Sequence, residues 1–366
     1  MDDNRGASPG FYRKMKFSSY KKYLVLTLFV LVLLFLFSGG FGLIESPNIE
    51  IPIEEDNLCG DGTPYESCSL TKPYFCKEGK LIEFPSACGC PEGFATKVKT
   101  CLSPYQNGSK KIVLNYTLSG KSNSINFVVY DAFEKYISNV PRSIVYFSNG
   151  SSSRVDFTLK AINEEEQRKF LMPLVIKIQN ITDDEDDQMR IAISLVQNIP
   201  FGASNKTAYF GMNKINYSRY PYEVLYDMQG VCGEKTDLLA FLLRELGYGT
   251  SFFYYADENH EALGLKCPVE ESLIESGYCF VETTGPSIIT DNKISYIGVG
   301  KLLSTPDIYF INHGKSISFN LEEYEDADRL IKIRNSIENT GLVGPINKIY
   351  FEKIKKKYGL AEEYYG

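Results

Sequence analysis

Cys59, Cys68, Cys76, Cys88, Cys90 and Cys101 crowd into residues 59–101, among turn formers such as Gly60-Asp61-Gly62 and Gly89-Cys90-Pro91. A segment this short cannot bury enough apolar surface to fold on its own core, so it needs covalent staples or a metal. The paired C-x2-C knuckles of a structural zinc site are absent, which favours three disulfides; spacing alone does not choose among the possible pairings. Residues 59–101 are therefore read as a disulfide-rich module, and disulfides require an oxidising compartment.

A second feature supplies that compartment. Tyr23 to Ile44 is an uncharged apolar run long enough to cross a bilayer as a helix. Arg5, Arg13, Lys14, Lys16, Lys21 and Lys22 precede it, whereas Glu45, Glu50, Glu54, Glu55 and Asp56 follow. That asymmetry puts a basic tail, 1–22, in the cytoplasm, a transmembrane helix at 23–44, and everything beyond on the outer side. The rival reading is a cleaved signal peptide, whose apolar region is usually shorter; the small residues Ser38-Gly39-Gly40 speak for it. Asn-x-Ser/Thr sequons at Asn107, Asn115, Asn149, Asn180, Asn205 and Asn216 all follow the run, as expected of an extracellular glycoprotein.

Residues 45–58 read as an acidic, proline-containing linker. Across 111–160, strand-like runs at Ile112–Leu114, Ile125–Tyr130, Ile144–Phe147 and Val155–Leu159 are separated by turns such as Ser119-Gly120 and Asn149-Gly150. They predict a small β-rich region. Thr182-Asp183-Asp184-Glu185 fits a helix-starting capping box, with the helix running through Met189, Ala192, Leu195 and Val196 to a stop near Pro200. Residues 201–222 look like a long loop, 161–320 like the main α+β domain, and 321–366 like a helical segment whose Lys353–Lys357 stretch is a solvated face. A net charge of −7 argues against nucleic acid as a partner. Two histidines cannot build a His-rich metal centre, and neither HExxH nor GxxxxGK[ST] occurs, so no metal or cofactor is expected.

The chemistry concentrates around Met228-Gln229-Gly230-Val231-Cys232-Gly233-Glu234-Lys235. Leu238, Leu239, Leu242, Leu243 and Leu246 follow at helical spacing, and Gly247 ends the run. Cys232 thus sits where a glycine-flanked loop enters a buried helix, whose positive end stabilises a thiolate. A lone cysteine at such a place is usually a small buried hydrophobe. Parity weakens that reading. Cys267 and Cys279 flank a turn-like insert, 268–278, and could bridge adjacent strands, leaving Cys232 as the odd thiol in an oxidising space. A bond from Cys232 to Cys267 or Cys279 remains the alternative. His260 opens an apolar, strand-like run, and Tyr278–Glu282 reads as a second strand. If the two pair, the Glu282 carboxylate can orient the imidazole. His313, in Asn312-His313-Gly314, sits in a turn and is expected to be exposed.

Together these residues resemble the transglutaminase-like superfamily, within the papain-like cysteine-enzyme fold. The resemblance spans residues 185 to 300. It rests on the Cys232 helix start with Leu246-Gly247-Tyr248, the His260 strand, and Glu282-Thr283-Thr284-Gly285. It implies an α+β core with the cysteine helix packed on an antiparallel sheet, Cys232 as nucleophile, His260 as general base and Glu282 as the orienting acid. The family's third residue is usually an aspartate, and the aromatic that commonly follows its cysteine is replaced here by Gly233. The resemblance further implies attack on an amide carbonyl of a polypeptide substrate, with a thioester intermediate. Backbone N–H groups would hold the oxyanion, and Gln229 is a side-chain candidate. With no obvious calcium loop, peptidase or amidase activity is expected before calcium-switched cross-linking. The competing reading is a catalytically inactive surface protein that uses the same fold to bind polypeptide or glycan.

Overall fold

The computed structural model describes residues 57–144, 153–210, 213–293, 295–296, 300–342 and 344–360. The apolar run 23–44, its basic and acidic flanks, the Asn149 sequon and all but the first residue of the Ile144–Phe147 run lie outside them. Among the described residues no helix is long and apolar enough to cross a membrane.

The cysteine-rich module is stapled by Cys59–Cys76, Cys68–Cys88 and Cys90–Cys101. Short antiparallel strands at Ser67–Cys68, Tyr74–Lys77 and Lys80–Glu83 form its sheet. Its apolar centre is only Cys59, Tyr74, Cys76 and Leu81, and it closes on Ile176 of the following domain. Asn180 secures the same junction: its side-chain amide donates to the Leu81 carbonyl (2.9 Å) and accepts from the Leu81 N–H (2.8 Å). A glycan on that nitrogen would break the clasp; the Asn107 amide is engaged as well, donating to the Pro104 carbonyl at 3.0 Å.

Strands β1 (Ser109–Leu118) and β2 (Lys121–Tyr130) form a hairpin. Its two-residue turn puts both Ser119 and Gly120 at positive φ, the backbone that matches the twist of paired strands. Ile112, Leu114, Ile125, Phe127 and Val129 face inward in strict alternation and share one core with the helices that follow. Those helices are α1 (Asp131–Ser138), α2 (Arg154–Ile162), α3 (Glu165–Gln179), α4 (Glu185–Gln197), α5 (Pro221–Asp227) and α6 (Cys232–Glu245).

Three sequence expectations change here. Val155–Leu159 is not a strand but part of α2. The Asp156 carboxylate accepts from the Ser153 N–H and hydroxyl at the start of this helix, and its buried positions, Thr158 and Ile162, follow a helical step, while Phe157 of the alternating set is exposed. The cap of α4 is Asp184, which accepts from the Asp187 N–H at 2.8 Å; Thr182 sits two residues too early and its hydroxyl accepts from the Asp184 N–H instead. Residues 201–222 are not one loop: strands Thr207–Phe210 and Asn213–Asn216 pair within it, and Pro221 starts α5.

Strands β3 (Thr250–Tyr255), β4 (His260–Lys266), β5 (Tyr278–Val281) and β6 (Asp307–Asn312) form an antiparallel sheet in the order β5-β4-β3-β6. The Cys267–Cys279 disulfide ties β4 to β5 across the 268–278 insert. The sheet is covered on both faces. Phe252, Leu263, Leu265 and Val281 point to α4 and α6, whereas Phe253, Ala262 and Phe280 point to α7 (Glu322–Thr340) and α8 (Pro345–Tyr358). The Lys353–Lys357 stretch of α8 is only partly solvated: Ile354 is buried, and Lys357 bonds Glu322 and Asp326 of α7. The result is a mixed α+β fold in which a helix bearing Cys232 lies on an antiparallel sheet.

Two measurements test this arrangement. Non-reducing peptide mapping should recover the four bridges above and a modifiable Cys232. Phe133, fully buried, stacks on Phe170 at 3.9 Å and meets Tyr222 edge-on at 4.6 Å. Phe133→Ala should therefore cost about 3–5 kcal/mol in denaturant unfolding.

Candidate active site

Cys232 is the first residue of α6 and the one cysteine outside a disulfide. The helix start is held from both sides. Glu234, at the third helical position, accepts from the Val231 N–H at 3.0 Å, the acidic half of a capping box. The same carboxylate takes the Arg219 N–H (2.8 Å) and guanidinium (2.9 Å), a buried ion pair that Asp227 completes on the other side of Arg219. The carbonyl of Cys232 accepts from the Thr236 hydroxyl at 2.8 Å and the Thr283 hydroxyl at 3.3 Å. The first turn of α6 is thereby stitched to the end of β5, where Glu282 lies.

His260 begins β4 and is fully buried. Its Nε2 lies 2.9 Å from Glu282 Oε2. That leaves Nδ1 as the nitrogen that can meet the thiol, and Cys232 is near enough to act on the imidazole. Glu282 is also fully buried, and its second oxygen accepts from the Thr283 N–H (3.0 Å), the Thr284 N–H (2.8 Å) and the Thr284 hydroxyl (2.7 Å). Burial alone would drive this carboxyl up, but His260 and the three donors outweigh it and hold it below its ordinary range. For His260, burial opposes the imidazolium; the charge and hydrogen bond of Glu282 and the nearby Cys232 prevail and push it up to about 10. The three residues singled out in the sequence are thus brought together, the thiol near the imidazole and the imidazole bonded to the carboxylate.

Gln229 does not join them. Its side chain lies over Gly202, whose missing Cβ leaves the room, and its N–H bonds the Val224 carbonyl. His313 is exposed, as its turn suggested. Cys232 is half-buried on the wall of a cleft of about 570 Å³ that Arg142, Arg154, Tyr217, Tyr220 and Tyr254 also line. Arg154 lies over the Tyr254 ring at 3.7 Å and pairs with Glu261, the residue next to His260. The Glu261 carboxylate lies in the space that a Cβ at Gly233 would enter. A smaller hollow of about 340 Å³ among Arg190, Glu322 and Tyr358 holds no cysteine or histidine. Among the described residues no group of three or more His, Cys, Asp or Glu side chains is placed to hold a metal ion.

Several residues of this site were given no role of their own in the sequence reading: Arg219, Glu234, Lys235, Gln197, Thr283 and Thr284. Two carried a signal. Glu234 stands at the capping-box position, and Lys235 continues the Leu238, Leu239, Leu242 stripe, so a charge was written onto a core-facing position. Arg219 and Gln197 carried none, because their partners are distant in the chain.

No protein-family model matches the chain, and no curated protein matches it. Among solved structures it is similar to Legionella pneumophila LapG in calcium-bound form, at 15% identity and a TM-score of 0.25. That match covers 48% of this chain and 97% of the other. A likeness so loose carries no argument about chemistry, which rests on the geometry above.

The electrostatics make a signed prediction. Because His260 is higher in the folded chain than its ordinary 6.5, its contribution to stability is complete below pH 6.5 and is lost as pH rises toward 10. Buried Lys235, held down to about 7, acts in the opposite sense, adding stability as pH climbs through 7 to 10.5. Whole-protein melting curves would blend the two. The His260 ring resonance separates them: its NMR titration should centre near pH 10 and fall in Glu282→Gln.

Proposed function

We propose that the chain is a membrane-anchored cysteine enzyme of transglutaminase-like type that cleaves amide bonds of polypeptides on the outer side of the membrane. The observation that carries the reading is the row itself: the one unbridged cysteine, at a helix start on a cleft wall, beside a buried histidine that is in turn fixed by a buried carboxylate. An isolated buried thiol would require none of these partners.

In this reading the Cys232 thiolate attacks the substrate carbonyl, and the oxyanion is held by first-turn N–H groups of α6, which a helix leaves without an internal acceptor. The His260 imidazolium gives its proton to the departing amine, leaving a thioester. Water then attacks with His260 as base, releasing the carboxylic acid and restoring the thiol. Glu282 keeps Nε2 engaged, so Nδ1 faces the sulfur in both half-reactions. Water as acceptor makes the enzyme a peptidase or amidase; an amine acceptor would make it a transferase. Four disulfides support placement in an oxidising space. Residues 23–44 would be the anchor, and Asn115 and Asn205, both exposed, would be sequons open to glycans.

The test uses the full chain in detergent micelles. Iodoacetamide at mildly acidic pH should label Cys232 rapidly, and His260→Ala should abolish the labelling. Proteome-derived peptides should acquire new termini, or lose amide nitrogen, with the native chain and not with Cys232→Ala. An inert Cys232, or one recovered in a disulfide, overturns the proposal and leaves a binding protein.

A further inference from the structure

Lys235 stands one helical turn after Cys232 and is fully buried. Desolvating an ammonium is expensive, and an apolar side chain of similar length would fill the same space at no such cost. Its surroundings explain why it is there. Nζ donates to three backbone carbonyls: Ile199 at 2.5 Å, Thr284 at 3.1 Å and Gln197 at 3.4 Å. Gln197 and Ile199 are at the C-terminal end of α4, where the helix dipole favours a cation. Thr284 belongs to the turn whose N–H and hydroxyl grip the Glu282 carboxylate. One amine therefore ties the cysteine helix, the end of α4 and the Glu282 turn together. Gln197 adds the matching restraint from the other side, its Nε2 donating to the Glu282 carbonyl at 2.9 Å and the Ser287 carbonyl at 3.2 Å.

We infer that Lys235, with Gln197, is a positioning residue for the reaction: the clamp it makes on the Glu282–Thr284 turn sets the carboxylate against His260 and so keeps the imidazole on Cys232. This rests on the proposed function and adds to it a residue that never touches substrate. Glu282 is the charged group that faces the amine; its attraction raises the ammonium's stability against the larger effect of burial. Losing the amine frees the Thr284 carbonyl, and the carboxylate loses the geometry of its donors. A misplacement of about 1 Å at such a site costs roughly 100-fold in rate.

The experiment compares the full-length native chain with Lys235→Met, which keeps the length, and Lys235→Gln, which keeps a donor without the charge. Phe133→Ala, in the aromatic cluster with Phe170 and Tyr222, serves as a destabilised control. Iodoacetamide labelling of Cys232 is followed across pH, with the His260 ring titration as a second readout. The inference expects both Lys235 variants to lose labelling at mildly acidic pH by roughly 100-fold, their profiles moving toward that of an ordinary thiol. The His260 titration should fall in both, while Phe133→Ala keeps the native profile despite its lower stability. If either Lys235 variant folds and keeps the native profile and titration, Lys235 is only a buried structural amine and the inference fails, though the triad stands. If the native chain itself does not label, the proposed function fails first.

Discussion

A carboxylate stays ionised inside a protein only where donors replace the water it has lost. Glu282 has them: two backbone N–H groups and a hydroxyl on one oxygen, the His260 ring on the other. Everything near Cys232 follows from that anion. It raises the imidazole, fixes which ring nitrogen it engages, and so decides what the thiol meets. Its donors come from its own turn, so the local sequence Glu282-Thr283-Thr284 makes the nest. Only the surrounding fold holds the nest in place.

That holding is polar at the site and apolar beneath it. The antiparallel sheet is packed on both faces, which makes β4 and β5 a rigid base for His260 and Glu282. The cysteine helix is tied to it by the Thr283 hydroxyl on the Cys232 carbonyl and by Lys235 on the Thr284 carbonyl, and its start is held by the Arg219–Glu234 pair. Hydrophobic burial is non-directional and sets distance between layers. Hydrogen bonds set register, which a reacting row of three groups needs to within fractions of an ångström. The cysteine-rich module stands outside this machinery, anchored through Ile176 and the Asn180 clasp.

How far the site was legible from sequence depends on where each residue's partner lies. Cys232 was readable because its helix announces itself through the leucine stripe and flanking glycines, and His260 and Glu282 because each sits on a strand pattern interrupted by a cysteine-flanked insert. Val155–Leu159 misled because a five-residue alternation fits a strand as well as one and a half helical turns; the Ser153–Asp156 cap, local but overlooked, was the better signal. Gln229 was proposed from proximity in the chain, yet the open surface of Gly202 draws its side chain elsewhere. Residues 201–222 hid a hairpin because their Tyr, Asn and Gly content resembles a loop whenever pairing is ignored.

The sequence by itself determined that this chain carries covalent staples, a cysteine at the mouth of a buried helix, and a histidine and an acid on neighbouring strand patterns, since period, spacing and parity are local properties of a polymer. Tertiary structure alone decided which sulfurs bond, that Cys232 is the one left over, and that a lysine on a leucine stripe ends at three carbonyls of two other segments. Those outcomes depend on distances between groups far apart in the chain, and only a packed core fixes such distances.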